Sequence, residues 1–229
     1  MAEEIAMKVI ARIHTDFPEK FGVPRQSGLV DELRAQIVFE PPYRNPDAVR
    51  GLEGFSHIWL IWQFDRALRD TWSPTVRPPR LGGNRRMGVF ATRSPFRPNA
   101  IGLSSVRLER VEAETPRGPV LHVRGADLVD GTPIFDIKPY LPYADSYPDA
   151  RGGFTDTIAR KLLRVSAPEE LREKFPAGLL GVLENDPRPR YQDDPERVYG
   201  LGFGGWNVRF RVAGEELTVL AMERADGGK

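Results

Sequence analysis

Glycine and proline punctuate the first 150 residues so densely that only short segments survive between them, and this limits what the chain can fold into. Its 229 residues include 22 Gly and 21 Pro. Ile5 to His14 alternates well enough for a strand, and Gln36 to Glu40 is a second short candidate. His57 to Phe64 reads HIWLIWQF, a nearly continuous apolar run of the kind found in buried strands. Val89 to Thr92, Ser104 to Glu112 and Val120 to Arg124 continue the series. Convincing amphipathic helices are scarce over the same span. Many short strands between Gly/Pro turns imply a mainly β domain, a sandwich or a barrel, and not a doubly wound α/β sheet.

YPDARGG, Tyr147 to Gly153, is a Pro/Gly-bearing connection that divides the chain into a main domain, 1–150, and a small α+β domain, 151–229. In the second part Lys161 to Val165 reads as a strand. Ala167 to Phe175 opens with Pro168 and Glu169 as helices commonly do, and Gly178 to Asn185 is a second short helix ended by Pro187. Trp206 to Val212 and Glu216 to Met222 form a hairpin across Ala213-Gly214-Glu215.

The chain has no cysteine, which removes thiolate catalysis, iron–sulfur clusters and cysteine-based zinc sites, and is most compatible with the cytosol. No segment has the form of a signal peptide or the roughly 20 apolar residues of a membrane span. His14, His57 and His122 lie too far apart for metal-ligand spacing, so no metal is expected. Net charge is only +1, but its distribution is uneven. From Thr71 to Val106 there is no acidic residue, while Arg77, Arg80, Arg85, Arg86, Arg93 and Arg97 accumulate. Arginine's planar fork suits phosphates and carboxylates; a solvated arginine-rich loop fits the charge alone equally well.

Four segments combine backbone punctuation with polar side chains that folding does not require. KFGVPRQSG, Lys20 to Gly28, presents Arg25 and Gln26 after Pro24, as a ligand loop or as a plain surface turn. GLEGFSHIW, Gly51 to Trp59, places His57 at the start of the apolar strand, where it serves structure as readily as chemistry. RPPRLGGNRRMGVFATRSPFRPNAIG, Arg77 to Gly102, is a poor recipe for regular structure and a good one for a shaped anion-binding wall, with Arg93, Ser94, Arg97 and Asn99 along one loop and Phe96 available to stack. DLVDGTPIFDIKPYLPY, Asp127 to Tyr143, offers Asp127, Asp130 and Asp136 as acceptors and Tyr140 and Tyr143 as rings and hydroxyls; capping of a turn is the alternative for the aspartates. A Rossmann fingerprint, a Walker loop and a G-x-S-x-G elbow are all missing.

These four segments, in this order, resemble the motif series of the TrmO/TsaA-like family, and NDPRPRY and WNVRFRV are similar to the C-terminal portion of its bacterial members. The resemblance implies a closed β-barrel that binds S-adenosylmethionine without a Rossmann sheet, a small C-terminal domain that helps bind tRNA, and a cytoplasmic homodimer with its cofactor site near the subunit contact. It implies methylation of N6 of N6-threonylcarbamoyladenosine beside the anticodon of threonine tRNA. The positions matching the cofactor motifs are Pro24, Arg25, Gln26, His57, Arg93 and Asp127, Leu128, Val129 and Asp130, with Ile58 and Leu103 as weaker matches. Asp136 with Tyr140 or Tyr143 is expected nearest N6. Arg77, Arg80, Arg85, Arg86, Arg97 and Asn99 are expected to meet the RNA. A non-catalytic RNA-binding barrel, or a methyltransferase with a different acceptor, is the competing expectation.

Overall fold

The structure, a computed structural model, describes residues 4–78, 81, 85–157, 161–189 and 194–225. The strands of the first part are β1 (Ala11–His14), β2 (Arg34–Phe39), β3 (His57–Gln63), the two-residue β4 (Thr75–Val76) and β5 (Met87–Gly88), then β6 (Ile101–Glu112), β7 (Val120–Arg124) and β8 (Pro133–Pro139). Six of them close into a barrel in the order β1-β2-β7-β6-β3-β8, and every pairing is antiparallel. Closure leaves no free edge in this sheet. Alternation fills the interior: Ile58, Leu60 and Trp62 of β3 point inward with Ile13, Ile37, Leu121 and Ile134, while His57, Trp59, Ile61 and Gln63 are only half-covered. The apolar run is therefore buried on one face only, each inward aliphatic contributing about 1.5–3 kcal/mol.

Two expected strands came out differently. Only the end of Ile5 to His14 pairs; residues 5–9 form no strand. Val89–Ala91 is a 3-10 turn: after Val89 N–H donates to Pro74 O, Thr92 returns both its N–H and its hydroxyl to Val89 O and the chain closes on itself.

Beyond the short α1 (Pro142–Asp145) lie β9 (Arg164–Ser166), α2 (Glu169–Arg172), α3 (Leu179–Glu184), β10 (Tyr199–Phe203), β11 (Trp206–Ala213) and β12 (Glu216–Arg224). They build a sheet in the order β10-β11-β12-β9, with β9 parallel to β12. Ala213 pairs with Glu216, so the hairpin turns on Gly214 and Glu215, with Gly214 at φ 59°. The helix expected over 167–175 is a single turn, since Lys174 and Phe175 donate to carbonyls three residues back and not four. Strand β10 was not anticipated. In YGLGF the glycines replace the outward side chains that would have revealed alternation, and Gly202 is needed where Pro18 lies 3.0 Å from its would-be Cβ.

The second core is not built from the C-terminal part alone. Phe17, Val30 and Leu33, all from the β1–β2 connection, are buried among Leu179, Leu201, Phe203 and Phe210, with the Phe17 and Phe203 rings edge-to-face at 5.1 Å. Among the described residues no helix is long and apolar enough to cross a membrane.

Candidate cofactor and RNA site

An all-antiparallel barrel sorts its connections by end. The β1–β2, β3–β6 and β7–β8 connections emerge at one end, and the β2–β3 and β6–β7 connections at the other. The first end carries Pro24, Arg25 and Gln26, then Arg93, Arg97 and Asn99, then Asp127 to Asp130. Two glycines let the outer pair of loops touch. Gly28 N–H donates to Gly125 O at 2.8 Å, both residues have φ of 73°, and a Cβ on Gly125 would lie 3.3 Å from the Gly28 backbone.

A polar chain links all three loops. Trp62 Nε1 donates to the buried Ser104 hydroxyl at 3.0 Å, and Ser104 Oγ donates to Asp127 Oδ1 at 2.6 Å. Because the indole N–H occupies one lone pair of Ser104, the hydroxyl proton is directed at the carboxylate. Arg93 donates to Gln26 Oε1, whose amide donates to Arg25 O. Burial pushes the Asp127 carboxyl above its ordinary value; the hydrogen bond from Ser104, the main-chain N–H groups of Asp127 and Ser27 and the charge of Arg93 act the other way.

The other sequence-predicted residues have separate surroundings. Arg25 donates to Arg188 O at 3.1 Å, which ties the loop to the C-terminal part; Arg188 itself holds Asp186 with two nitrogens. Pro24 and Arg25 line a small cleft there with Asn185 and Asp186. The Leu128 side chain is buried in the barrel core, so only its main chain can face a ligand. Asp130 accepts Thr15 N–H at 3.1 Å, has His14 Nδ1 at 3.2 Å and raises the carboxyl of Asp16, which burial already pushes up. Arg66 braces this loop by donating to Pro18 O and Asp130 O.

His57 and Ile58 stand at the opposite end of β3, a strand of seven residues and so roughly 20 Å from end to end at about 3.3 Å per residue. The topology does not bring them to the Gln26–Arg93–Asp127 loops: Ile58 is completely buried, and His57 packs 6.1 Å from the Tyr140 ring. Leu103 is 54% exposed on the outer face of β6, one residue out of phase with Ser104. The three acceptor candidates are dispersed as well. Asp136 pairs with Lys138 at 2.9 Å, Tyr140 packs on Trp59 and His57 at the far end, and Tyr143 is 87% exposed. Trp59 Nε1 donates instead to Asp145, whose carboxyl is held below its ordinary value by Leu141 N–H and that indole.

Arg77, Arg85 and Arg86 are exposed around the β4–β5 ribbon, with Arg86 Nη1 donating to Thr75 Oγ1 at 2.9 Å; Arg80 lies outside the described residues. Arg97 folds back onto Thr92 O at 3.0 Å and, with the exposed Asn99, lines a cleft of about 380 Å³ against Ile5, Met7, Val9, Gln63 and Leu68. Phe96 is not a bare stacking ring, since the Arg69 guanidinium lies 3.6 Å from its centroid.

Sequence reasoning missed Ser104, Trp62, Arg66 and Arg69. Ser104 was findable: in IGLSSVRL it falls in phase with Gly102, Val106 and Leu108, and a hydroxyl on an inward position needs a polar partner.

The comparisons agree with this architecture. A family model described as the tRNA-methyltransferase O N-terminal domain matches residues 12–146, and one described as the TrmO C-terminal domain matches 153–225. A tRNA (adenine(37)-N6)-methyltransferase of Escherichia coli (strain K12) is 44% identical over 226 residues, 93% of this chain and 96% of the relative. One of Eikenella corrodens is 47% identical over 177 residues, 76% of this chain and 99% of the relative. The crystal structure of TrmO from Pseudomonas aeruginosa matches with a TM-score of 0.74 at 34% identity, over 96% of this chain and all of that one. With both parts of the chain matched in order and relatives covered nearly end to end, the chain belongs to the tRNA-methyltransferase O family.

Proposed function

We propose that this chain transfers a methyl group from S-adenosylmethionine to N6 of an adenosine beside the anticodon of tRNA, and that this adenosine bears a threonylcarbamoyl group, as the motif resemblance implies for threonine tRNA. The similarity to tRNA (adenine(37)-N6)-methyltransferases over nearly the whole chain carries the reading.

The loop end offers a donor set that fits this cofactor. Asp127, part-buried and aimed by Ser104, is an acceptor for an ammonium or a ribose hydroxyl, and Asp130 is a second. Arg93, exposed and steadied by Gln26, is the donor for a carboxylate; Arg25, tied to Arg188 O, and Pro24 fix the direction of the loop that carries Gln26. Leu128 and Val129 act through their main chains. His57 and Ile58 support the barrel from its other end, and Leu103 stays with the outer face.

S-Adenosylmethionine supplies, when bound, a methyl group already activated on a positive sulfur. The chain therefore has to hold the acceptor amine in line and take its proton. Asp136, ion-paired with Lys138, is the base we assign, with Tyr140 or Tyr143 near N6. Arg77, Arg80, Arg85, Arg86, Arg97 and Asn99 meet the RNA, residues 151–229 assist, and the protein works as a homodimer in the cytoplasm.

Methyl transfer to tRNA with and without the threonylcarbamoyl group tests the acceptor. Transfer only to the modified tRNA is expected; equal transfer to both would overturn the finer assignment, and none to either the enzyme reading. In single-turnover assays Asp136→Asn and Tyr140→Phe should slow transfer by about 10²-fold or more, the scale of a lost general base. Full rates in both would remove them from the site. A single sedimenting species of one chain would exclude the homodimer.

A further inference from the structure

We infer that Trp72 and Phe90 form a stacking platform for unpaired bases of the RNA, beside an arginine rim that holds the neighbouring phosphates; the inference rests on the chain acting on tRNA. Trp72 is 52% exposed and Phe90 73%, with ring centroids 6.2 Å apart and planes inclined by 32°. Leaving two large rings side by side in water forgoes burial energy, and such a patch marks a contact surface.

The rings flank a braced element. Trp72 precedes β4 and Phe90 follows β5, the two strands pair, Ser73 Oγ donates to Thr75 O at 2.9 Å, and Val89 N–H donates to Pro74 O at 2.9 Å. One cation lies within reach of a ring, and three more belong to the same ribbon. The Arg97 guanidinium lies 6.0 Å from the Phe90 centroid and is fixed by Thr92 O; Arg86 is tied to Thr75; Arg77 and Arg85 are exposed. The acid-free stretch that contains all of them runs from Thr71 to Leu108.

Charge selects the occupant. A second copy meeting this face symmetrically would set the arginines of the ribbon against one another, an unfavourable juxtaposition. A polyanion with exposed ring faces matches both features at once. Paired bases keep their faces stacked within a helix, so the occupant is a single-stranded loop. The platform also adjoins the loop end: Thr71 and Arg97 line the 380 Å³ cleft, and Arg93 is on the same connection.

The test is fluorescence anisotropy of the full chain with a labelled anticodon stem-loop, and with the same hairpin carrying abasic loop positions. Trp72→Ala and Phe90→Ala should each weaken binding of the intact loop about tenfold, leave the abasic hairpin and the salt slope unchanged, and leave S-adenosylmethionine binding by calorimetry intact; Trp72→Phe should retain binding. Arg86→Ala should weaken both hairpins and flatten the dependence of log K on log salt by roughly one phosphate contact. If the wild type binds tRNA and both alanine variants bind the intact loop equally well, the platform is wrong. It is also wrong if the variants change association state in sedimentation, which would assign the rings to a contact between copies. A wild type that binds no tRNA defeats the tRNA reading itself.

Discussion

Asp127 carries the charge around which the loop end is arranged. Its carboxyl is raised above the ordinary value by burial, so the folded chain holds this proton more tightly than the unfolded chain does. Ionised, it therefore costs stability; the cost is present at neutral pH and disappears as the pH falls through the folded pKa towards the ordinary carboxylate value. Asp127→Asn should raise the melting temperature at pH 7, with the gap over the wild type closing on acidification. The same substitution should weaken S-adenosylmethionine binding by about tenfold or more, the scale of a lost charged acceptor. Scanning fluorimetry between pH 4 and pH 7 and titration calorimetry check the two halves, and an unchanged Kd would take Asp127 out of the cofactor site. Asp127 was legible in the sequence as an acceptor beside a turn. Its coupling to Trp62 through Ser104 was not, because it depends on β3 and β6 lying side by side with Leu60 opposite Ser104.

At the scale of the element, β6 is shaped by Gly102. The backbone passes beneath the Trp62 indole so closely that a Cβ on Gly102 would lie 2.2–2.6 Å from ring atoms. Gly102→Ala should cost about 1–3 kcal/mol as the indole is forced from its position. The displaced Trp62 would release Ser104, so S-adenosylmethionine binding should weaken alongside stability; denaturant melts together with calorimetry check this, and a variant as stable as the wild type would show that the indole moves freely. Strands β2, β6 and β7 were legible as short apolar-bearing segments between turns and β3 as an apolar run, but that β3 buries only one face was not. Val89 to Thr92 was not, since a β-branched run with apolar neighbours looks the same whether it pairs sideways or closes a 3-10 turn. Strand β10 was hidden by its glycines.

At the scale of the molecule, the β1–β2 connection serves two cores: it supplies Gln26 to the loop end and Phe17, Val30 and Leu33 to the C-terminal sheet. Gly204 N–H donates to Asp16 O and Asp130 N–H to Phe17 O, so the cofactor loops and the second core share a backbone. Phe17→Ala should cost about 3–5 kcal/mol and speed amide exchange in β10 and in residues 125–132 together; exchange raised in β10 alone would show that the two are uncoupled. By itself the sequence determined the β class, the turn positions, the loops that carry polar side chains and the acid-free arginine stretch, because periodicity, proline and glycine geometry and charge are local properties. Only the tertiary structure decided which of those loops meet. Antiparallel closure of six strands sends Gln26, Arg93 and Asp127 to one end of the barrel and His57 and Tyr140 to the other, and strand direction in a closed sheet is set by pairing partners distant in sequence.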